Sequence, residues 1–327
     1  MKSEHDPDNE ACCRVCARND GKIFHVNDFT WFRCKECGTV QKVITGAQYR
    51  ALNPSYDPGQ YLDSRSREEI ARFLDVDEKA RVLKRALKKY GKVCSPQTRG
   101  RFLDVGCGMG GYMLAAQRLG FDVLGFEPSK EHARVASTTL GLPVVPHYFE
   151  AERVGQTKFD LIMLSHVIEH IFRPADFLAD LIKVLRPGGV LIVATPNVRS
   201  FVARLTGRFW PMLKPLDHVT LICERAYSHF GVAEEVDIYH HSSELSYEFA
   251  ATILAVAKAK LRAQVSAASS ELAPSKARVL QETNLSGRFI RGVLTFISLP
   301  ALAVAVATDT QACLTSTLVR RGNSQCQ

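Results

Sequence analysis

The chain has 327 residues, of which 46% are hydrophobic and 23% charged, and its formal net charge is +8. These values describe an ordinary globular protein with one large core and room for an accessory module. Residues 1–10 are acidic and polar and show no signal peptide. The ten cysteines therefore predict a cytoplasmic, reducing location with metal-bound or free thiols, and they exclude a secreted disulfide scaffold.

Two cysteine pairs near the N-terminus predict a zinc ribbon. Cys13-x-x-Cys16 and Cys34-x-x-Cys37 are separated by 17 residues with strand-like composition, as in ribbons that bind zinc through two knuckles. A closed set of four thiolates leaves no open coordination position, so the predicted zinc is structural. Cys12 is out of register and His25 is not needed as a ligand. The predicted module spans residues 1–45.

Residues 46–100 are predicted to form a linker or lid followed by a leading helix. Three tyrosines lie in the linker, and Tyr61 is the candidate for covering a bound ligand, although simple packing explains it equally well. Ser66-x-x-Glu69 is a capping box. Apolar residues at helical spacing follow it and predict one helix that ends at Gly91.

The segment 102–111 (FLDVGCGMGG) predicts a nucleotide-binding turn. An apolar strand runs into glycines and a helix follows, so the backbone can press closely against a ligand. The same glycines fit G-x-G-x-x-G, the dinucleotide fingerprint, and the loop alone therefore does not distinguish between nucleotide cofactors. Asp104 precedes the loop, and Glu127 ends the next strand, where an acid can hold ribose hydroxyls.

Strands and helices alternate between residues 101 and 200, which predicts a parallel sheet with helices on both faces. Ligands bind such sheets beyond the carboxyl ends of the strands. A short helix near 223–231 and a sixth strand near 234–240 are predicted to follow, and a last strand at 312–319. The first five strands are predicted near 101–105, 122–126, 143–146, 159–164 and 190–195.

The C-terminal region combines apolar and basic stretches. A helix is predicted near 246–268 and a linker at 269–275. Residues 289–307 are strongly apolar but too short and interrupted for a membrane span. Residues 258–327 carry nine Lys and Arg against three acids, an excess of six positive charges. We expect either a helix packed on the sheet or a peripheral contact with lipid that gives access to a lipid-linked substrate.

The glycine loop, Glu127, the segment 159–170 (FDLIMLSHVIEH) and the segment 185–197 (LRPGGVLIVATPN) together resemble the class I S-adenosylmethionine (SAM) dependent methyltransferases. The likeness covers residues 60–245 and is greatest to the branch with ubiquinone-biosynthesis O-methyltransferases. It implies a Rossmann-like α/β doubly wound sheet at 101–245, preceded by the ribbon and followed by C-terminal helices and a last strand at 246–327.

The resemblance also implies which residues bind SAM. Asp104, Gly106, Gly108 and Gly110 would contact the methionine end, and Glu127 the ribose. Phe149 and Glu150 would lie near the adenine. Ser165 and His166 would line the floor beneath the sulfonium.

Two histidines are the candidate catalytic residues. His218 lies where relatives place a histidine facing the acceptor, and an imidazole can accept the acceptor's proton. His166 is the second choice. His166-x-x-Glu169-His170 is also a possible metal motif. Related enzymes have an acid at the position of His166, which weakens the metal interpretation and favours a structural helix start in which Glu169 and His170 make hydrogen bonds.

The sequence therefore predicts a SAM-dependent methyltransferase acting on oxygen, or carbon, of a small-molecule or lipid-linked acceptor such as a sugar, polyketide or quinone-like intermediate. The alternative is an RNA methyltransferase that uses the ribbon to contact nucleic acid. The ribbon interval is not strongly basic, which favours the first reading. The third possibility is a non-catalytic SAM-binding protein, and the intact glycine loop and Glu127 argue against it.

Overall fold

The computed structural model describes residues 12–52, 67–90, 100–213, 215–232, 235–243 and 313–322. The N-terminal module is a small antiparallel sheet of β1 (Gly21–Val26), β2 (Phe29–Cys34) and β3 (Val40–Lys42). A fourth strand, β9 (Thr220–Leu221), comes from much later in the chain and pairs with β3, with Val40 opposite Leu221. The ribbon sheet is thus completed by the following domain, and the predicted boundary at residue 45 stays a prediction.

The leading helix is interrupted. After α1 (Gly46–Ala51), the chain forms α2 (Arg67–Phe73) and α3 (Val76–Tyr90). Asp75, between the last two, has a φ of 49°, which no α-helix can contain. The prediction of a single helix was wrong. The apolar residues keep helical spacing on both sides of Asp75, so their pattern gives no sign of the break at this residue. Tyr61, Ser66 and Gly91 lie outside the described residues.

The central sheet is mainly parallel, as predicted. Its order is β10-β11-β8-β7-β4-β5-β6, with β11 antiparallel to both of its neighbours. The strand order reverses at β4, next to β7, which is where ligands bind in open α/β sheets. Its strands are β4 (Arg101–Val105), β5 (Asp122–Phe126), β6 (Val144–Val145), β7 (Phe159–Ser165), β8 (Leu185–Pro196), β10 (Val236–Ser243) and β11 (Cys313–Arg320).

Apolar side chains lie on both faces of this sheet, as expected for a mainly parallel sheet whose two faces are both covered by other elements. On one face Phe102 packs with α3 and with α4 (Gly111–Arg118). On the other, Leu103 packs with α6 (Pro174–Val184), in a cluster that also contains Cys13, Cys34 and Cys37. The remaining helices are α5 (Lys130–Arg134) and α7 (Phe201–Thr206).

Several sequence-based boundaries need correction. The fifth strand begins at Leu185 rather than near 190, because Arg186–Gly189 continue the strand. The sixth begins at Val236, and the short helix at 223–231 is a 3₁₀ helix over Glu224–His229. The helix at 246–268, the linker and the apolar stretch at 289–307 lie outside the described residues. Among the helices the structure describes, none is long and apolar enough to span a membrane.

Candidate functional site

The four cysteines predicted to bind zinc lie together. Cys13 Sγ is 3.5 Å from Cys37 Sγ, and Cys16 Sγ is 3.4 Å from Cys34 Sγ. The four sulfur atoms all lie within 4.8 Å of one another. Sulfurs bound tetrahedrally at about 2.3 Å from zinc would be about 3.8 Å apart. The cluster therefore fits a zinc ion.

The two cysteine pairs form matching knuckles. In each, the residue after the second cysteine is left-handed: Ala17 has a φ of 60° and Gly38 a φ of 74°. A Cβ on Gly38 would lie 2.9 Å from the Cys223 sulfur, so glycine is required there for packing as well. Cys12 instead donates its thiol hydrogen bond to the Ala17 carbonyl at 3.6 Å. This agrees with its predicted exclusion from the zinc site.

The glycine loop connects β4 to α4 through left-handed residues. Gly106, Gly108 and Gly110 have φ values of 69°, 53° and 85°. A Cβ at Gly106 would collide with Val167 at 2.4 Å, and one at Gly110 with Leu142 at 2.3 Å, whereas Gly108 has open space around it. A side chain at Gly106 or Gly110 would thus disturb the packing, while Gly108 leaves room for a ligand beside its backbone. The roles of all three glycines toward SAM stay predictions.

Glu127 lies against this open position. Its Oε2 accepts a hydrogen bond from the Gly108 amide at 2.8 Å, and its Oε1 accepts one from the Ser129 amide at 2.8 Å. The side chain is buried. A carboxylate held by two amides keeps a fixed direction, which a ribose-binding acid needs.

Asp104 is fully buried beneath the loop, and its Oδ2 has no hydrogen-bond partner among the described residues. Burial, reinforced by the nearby Glu127 charge, raises the pKa of Asp104 to about 8, although Lys79 opposes the shift. An acid with an oxygen that has no partner among the described residues is suited to the ammonium group of a methionine moiety, whose positive charge would favour the ionised carboxylate.

Asp104→Asn should have opposite effects on stability and on SAM binding. The folded protein keeps a proton on Asp104 that the unfolded chain releases near pH 4, so this group lowers stability as pH rises from about 4 to about 8. At pH 9 we therefore expect the variant to melt at least about 2 °C above wild type, with weaker SAM affinity. Differential scanning calorimetry at pH 5 and 9, with SAM titrations, measures both effects.

Asp28→Asn, at an exposed turn, is the matched control and should change neither property. An Asp104→Asn protein that melts below wild type at pH 9 would contradict the argument from burial.

The other predicted SAM-binding residues have different surroundings. Phe149 is buried edge-on between Phe126 and Phe177, 5.3 and 6.1 Å away between ring centroids. Glu150 is exposed and accepts a hydrogen bond from Arg153 at 2.6 Å. Ser165 ends β7 and lies within hydrogen-bonding reach of Tyr112. Their roles toward SAM stay predictions.

His166 is exposed and has a left-handed backbone with a φ of 54°. Its Nδ1 lies 3.2 Å from Glu169 Oε1, and the other oxygen of the buried Glu169 accepts a hydrogen bond from Thr195 at 3.0 Å. Hydrogen bonds with Cys313 and Glu169 raise the pKa of His166 to about 10. His166 is therefore an imidazolium at neutral pH, which suits a hydrogen-bond donor better than a base.

His218 is buried beside His170, with 4.9 Å between ring centroids. Its Nδ1 lies 2.9 Å from the Met212 carbonyl, so Nδ1 carries the proton and Nε2 is free to accept one. Burial lowers the pKa of His218, which keeps the ring neutral at pH 7. Of the two predicted catalytic histidines, His218 has the protonation state of a base.

His170 completes the cluster. Its Nδ1 lies 3.1 Å from Asp217 Oδ2, and this hydrogen bond raises the pKa of His170 against the effect of burial. Glu169, His170 and His218 each offer a ligand atom within 4.8 Å. Hydrogen bonds already engage both Glu169 oxygens and one nitrogen of each histidine. The second nitrogen of each histidine is not used in these bonds, as in histidines that bind metals, so both the hydrogen-bonding and the metal interpretation of this motif stay predictions.

Sequence reasoning missed three residues around this site. Tyr49 donates from its hydroxyl to the His170 carbonyl at 2.9 Å. Lys79 reaches the glycine loop from α3, where its Cε would be 3.0 Å from a Cβ at Gly111. Arg14 donates to the carbonyl of Val219, the residue that follows His218, at 2.8 Å. Of these three residues, only Lys79 could have been found from the sequence, because it is a cation on an amphipathic helix that precedes the glycine loop. The contacts of Tyr49 and Arg14 join segments that are far apart in the chain.

Comparison with known proteins identifies the central part of the chain. Residues 68–230 match the family model described as "Methyltransferase domain". Curated relatives named "Ubiquinone biosynthesis O-methyltransferase" include one from Caulobacter vibrioides, 37% identical over 101 residues, and one from Maricaulis maris, 32% identical over 120 residues. These matches cover 29% and 34% of this chain and 40% and 47% of the relatives. The chain thus spans less than half the length of these relatives.

Solved structures are similar more distantly. A SAM-dependent methyltransferase from Archaeoglobus fulgidus is 16% identical with a TM-score of 0.42, and the match covers 76% of this chain and 99% of that one. The cyclopropane synthase MmaA2 from Mycobacterium tuberculosis is 20% identical with a TM-score of 0.45, covering 85% and 95%.

Proposed function

We propose that this chain, whose residues 68–230 belong to the SAM-dependent methyltransferase family, transfers the methyl group of SAM to an oxygen of a small-molecule or lipid-linked acceptor. Carbon is the second choice of acceptor atom. A sugar, a polyketide or a quinone-like intermediate would each supply a suitable hydroxyl group.

The observation that carries the proposal is the pair of acids at the glycine loop. Glu127 is fixed by the Gly108 amide at 2.8 Å, and Asp104 lies buried below with an oxygen that has no partner among the described residues. A ribose diol and an α-ammonium group are the ligand groups that such a pair would bind. SAM contains both.

SAM carries a good leaving group, so the protein must mainly align the acceptor and accept its proton. His218 supports this role because burial lowers its pKa and because the Met212 carbonyl is bonded by Nδ1, which leaves Nε2 as the nitrogen that can accept a proton. The names of the curated relatives favour oxygen as the methylated atom. His166, as a cation beside Glu169, would orient an anionic or polar group of the acceptor.

Zinc in the Cys13, Cys16, Cys34 and Cys37 cluster would be structural, since all four positions of a tetrahedral ion are filled. The ribbon sheet takes β9 from the methyltransferase domain, which supports a scaffold role over the alternative of RNA binding.

A lipid-linked acceptor would fit the basic, apolar C-terminal region. Basic residues beside an anionic lipid surface each contribute about 1 kcal/mol, and residues 258–327 have an excess of six positive charges. This peripheral membrane contact rests on the sequence alone, because most of that region lies outside the described residues.

The proposed function is tested by transfer of labelled methyl from SAM to a panel of catechols, hydroxybenzoates and sugar nucleotides. His218→Gln should lower kcat by about 10² to 10⁴ fold, as expected for loss of a general base, with unchanged SAM affinity. Because burial lowers the pKa of His218, wild-type kcat should rise with pH below about 6.5 and level off above it.

His25→Gln, on the exposed face of β1, is the control and should retain full activity. A wild-type protein that binds no SAM and methylates none of the panel would count against the proposal. Full activity of His218→Gln would remove His218 from the mechanism while leaving the reaction type in place.

A further inference from the structure

Two cations of the ribbon meet the backbone around His218. Lys42 is fully buried, and its Nζ donates to the carbonyls of Pro215 at 3.0 Å and Leu216 at 2.7 Å. Arg14 donates to the Val219 carbonyl at 2.8 Å and to Thr220 Oγ1 at 3.4 Å. The ribbon therefore contacts the chain on both sides of His218.

The contacts of Arg14 are geometrically demanding. Its Nη1 donates to the Lys42 carbonyl at 2.9 Å while its Nη2 holds Val219, so one planar guanidinium bridges β3 to the residue after His218. The same group lies 4.4 Å from the centroid of Phe172. Arg14 Nε is buried without a hydrogen-bond partner among the described residues. A lysine could supply the charge, but not the bridge.

The position of Arg14 also connects it to the metal cluster. It lies between Cys13 and Cys16, and its backbone amide donates to Gln41 Oε1 at 2.8 Å. Four thiolates around one zinc ion leave a net negative charge, which would stabilise the partly buried guanidinium of Arg14. Filling the zinc site would thereby hold Arg14 in the orientation that fixes Val219.

Val219 is held from the opposite side as well. Its amide donates to the Glu169 carbonyl at 2.8 Å, so the peptide next to His218 is fixed between the ribbon and the cluster of Glu169, His170 and Asp217. These three are the charged and titratable groups that face His218.

We propose that Arg14 is a positioning residue, which fixes the Val219 backbone and thereby the His218 imidazole, so that the zinc ribbon forms one wall of the acceptor side of the site. This rests on the proposed function for the role of His218 as a base. A ribbon that served only as a folded appendage would not need a bridging cation at this peptide.

The test compares Arg14→Gln and Arg14→Lys with Arg18→Gln in the full chain. Arg18 is exposed in the same knuckle, so its substitution is a matched loss of charge. Zinc content, SAM affinity by calorimetry and the NMR titration of labelled His218, assigned with His218→Gln, are measured for each protein.

Both Arg14 variants should keep about one equivalent of zinc. Their SAM affinity should stay within about twofold of wild type, since the hydrogen bonds of Arg14 are with Gln41, Lys42, Val219 and Thr220 and not with the glycine loop. The pKa of His218 should rise toward about 6.5 as water reaches the ring. We expect kcat to fall about tenfold, because a misplaced His218 would lose only a part of the rate enhancement that a general base supplies. Arg18→Gln should match wild type in every measurement.

An unchanged His218 titration in zinc-loaded Arg14→Gln would overturn the proposal. If Arg14→Gln loses zinc, Arg14→Lys decides, because it retains a cation beside the thiolates. Loss of zinc from both would assign Arg14 to the metal site alone and also overturn it. The NMR readout needs no turnover, so an inactive wild type would count against the proposed function without deciding the role of Arg14.

Discussion

Cys34→Ser is expected to abolish zinc binding and to unfold the ribbon. Structural zinc sites supply about 10–16 kcal/mol of apparent folding free energy in isolated zinc-finger peptides near pH 7, far more than a small three-stranded sheet gains from its own core. Metal analysis should fall from about one equivalent of zinc to near zero. Amide exchange at Val40 and Leu221, which pair across β3 and β9, should become fast in the same variant.

Cys12→Ser is the control for this result, since Cys12 lies outside the cluster of four sulfurs. It should retain the metal and the exchange protection. One equivalent of zinc in purified Cys34→Ser would show that another group replaces the ligand, and none in freshly reduced wild type would remove the zinc site.

Glu127→Ala is expected to weaken SAM binding by about tenfold to a hundredfold. The substitution removes the charged acceptor proposed for the ribose hydroxyls, and hydrogen bonds to charged groups contribute about 1.5–3 kcal/mol. It also releases the Gly108 and Ser129 amides. Calorimetric titration with SAM measures the change, and Glu127→Gln should give an intermediate value.

Glu131→Ala provides the comparison, because Glu131 is a nearby exposed acid paired with Arg134. Its SAM affinity should stay within about twofold of wild type. If Glu127→Ala binds SAM as tightly as wild type does, Glu127 is not part of the cofactor site and the assignment of the loop loses its main support.

The sequence predicted features that depend on local spacing. Paired cysteines give the knuckles, and the glycines between an apolar strand and a helix give the loop, because both patterns act over a few residues. The pairing of β3 with β9 could not be predicted, since two-residue strands have no periodicity. Arg14 and Val219 are 205 residues apart, and only tertiary packing brings them together.

The chemistry of the histidines was likewise only partly predictable. The sequence placed His166 and His218 after strands or turns where an acceptor would lie. Their opposite protonation states depend on burial and on Glu169, Cys313 and Met212, none of which a motif specifies. The break at Asp75 was missed for a similar reason, because one left-handed residue leaves the apolar spacing intact.

The contribution of β9 to the ribbon sheet has a consequence during synthesis on the ribosome. The knuckles emerge first, whereas the strand that covers β3 emerges only after β4, β5, β7 and β8 have been translated. Until then β3 is an open strand edge, the type of surface on which chains aggregate. Early capture of zinc would fix the nascent ribbon during that interval, so metal supply should govern the yield of soluble protein.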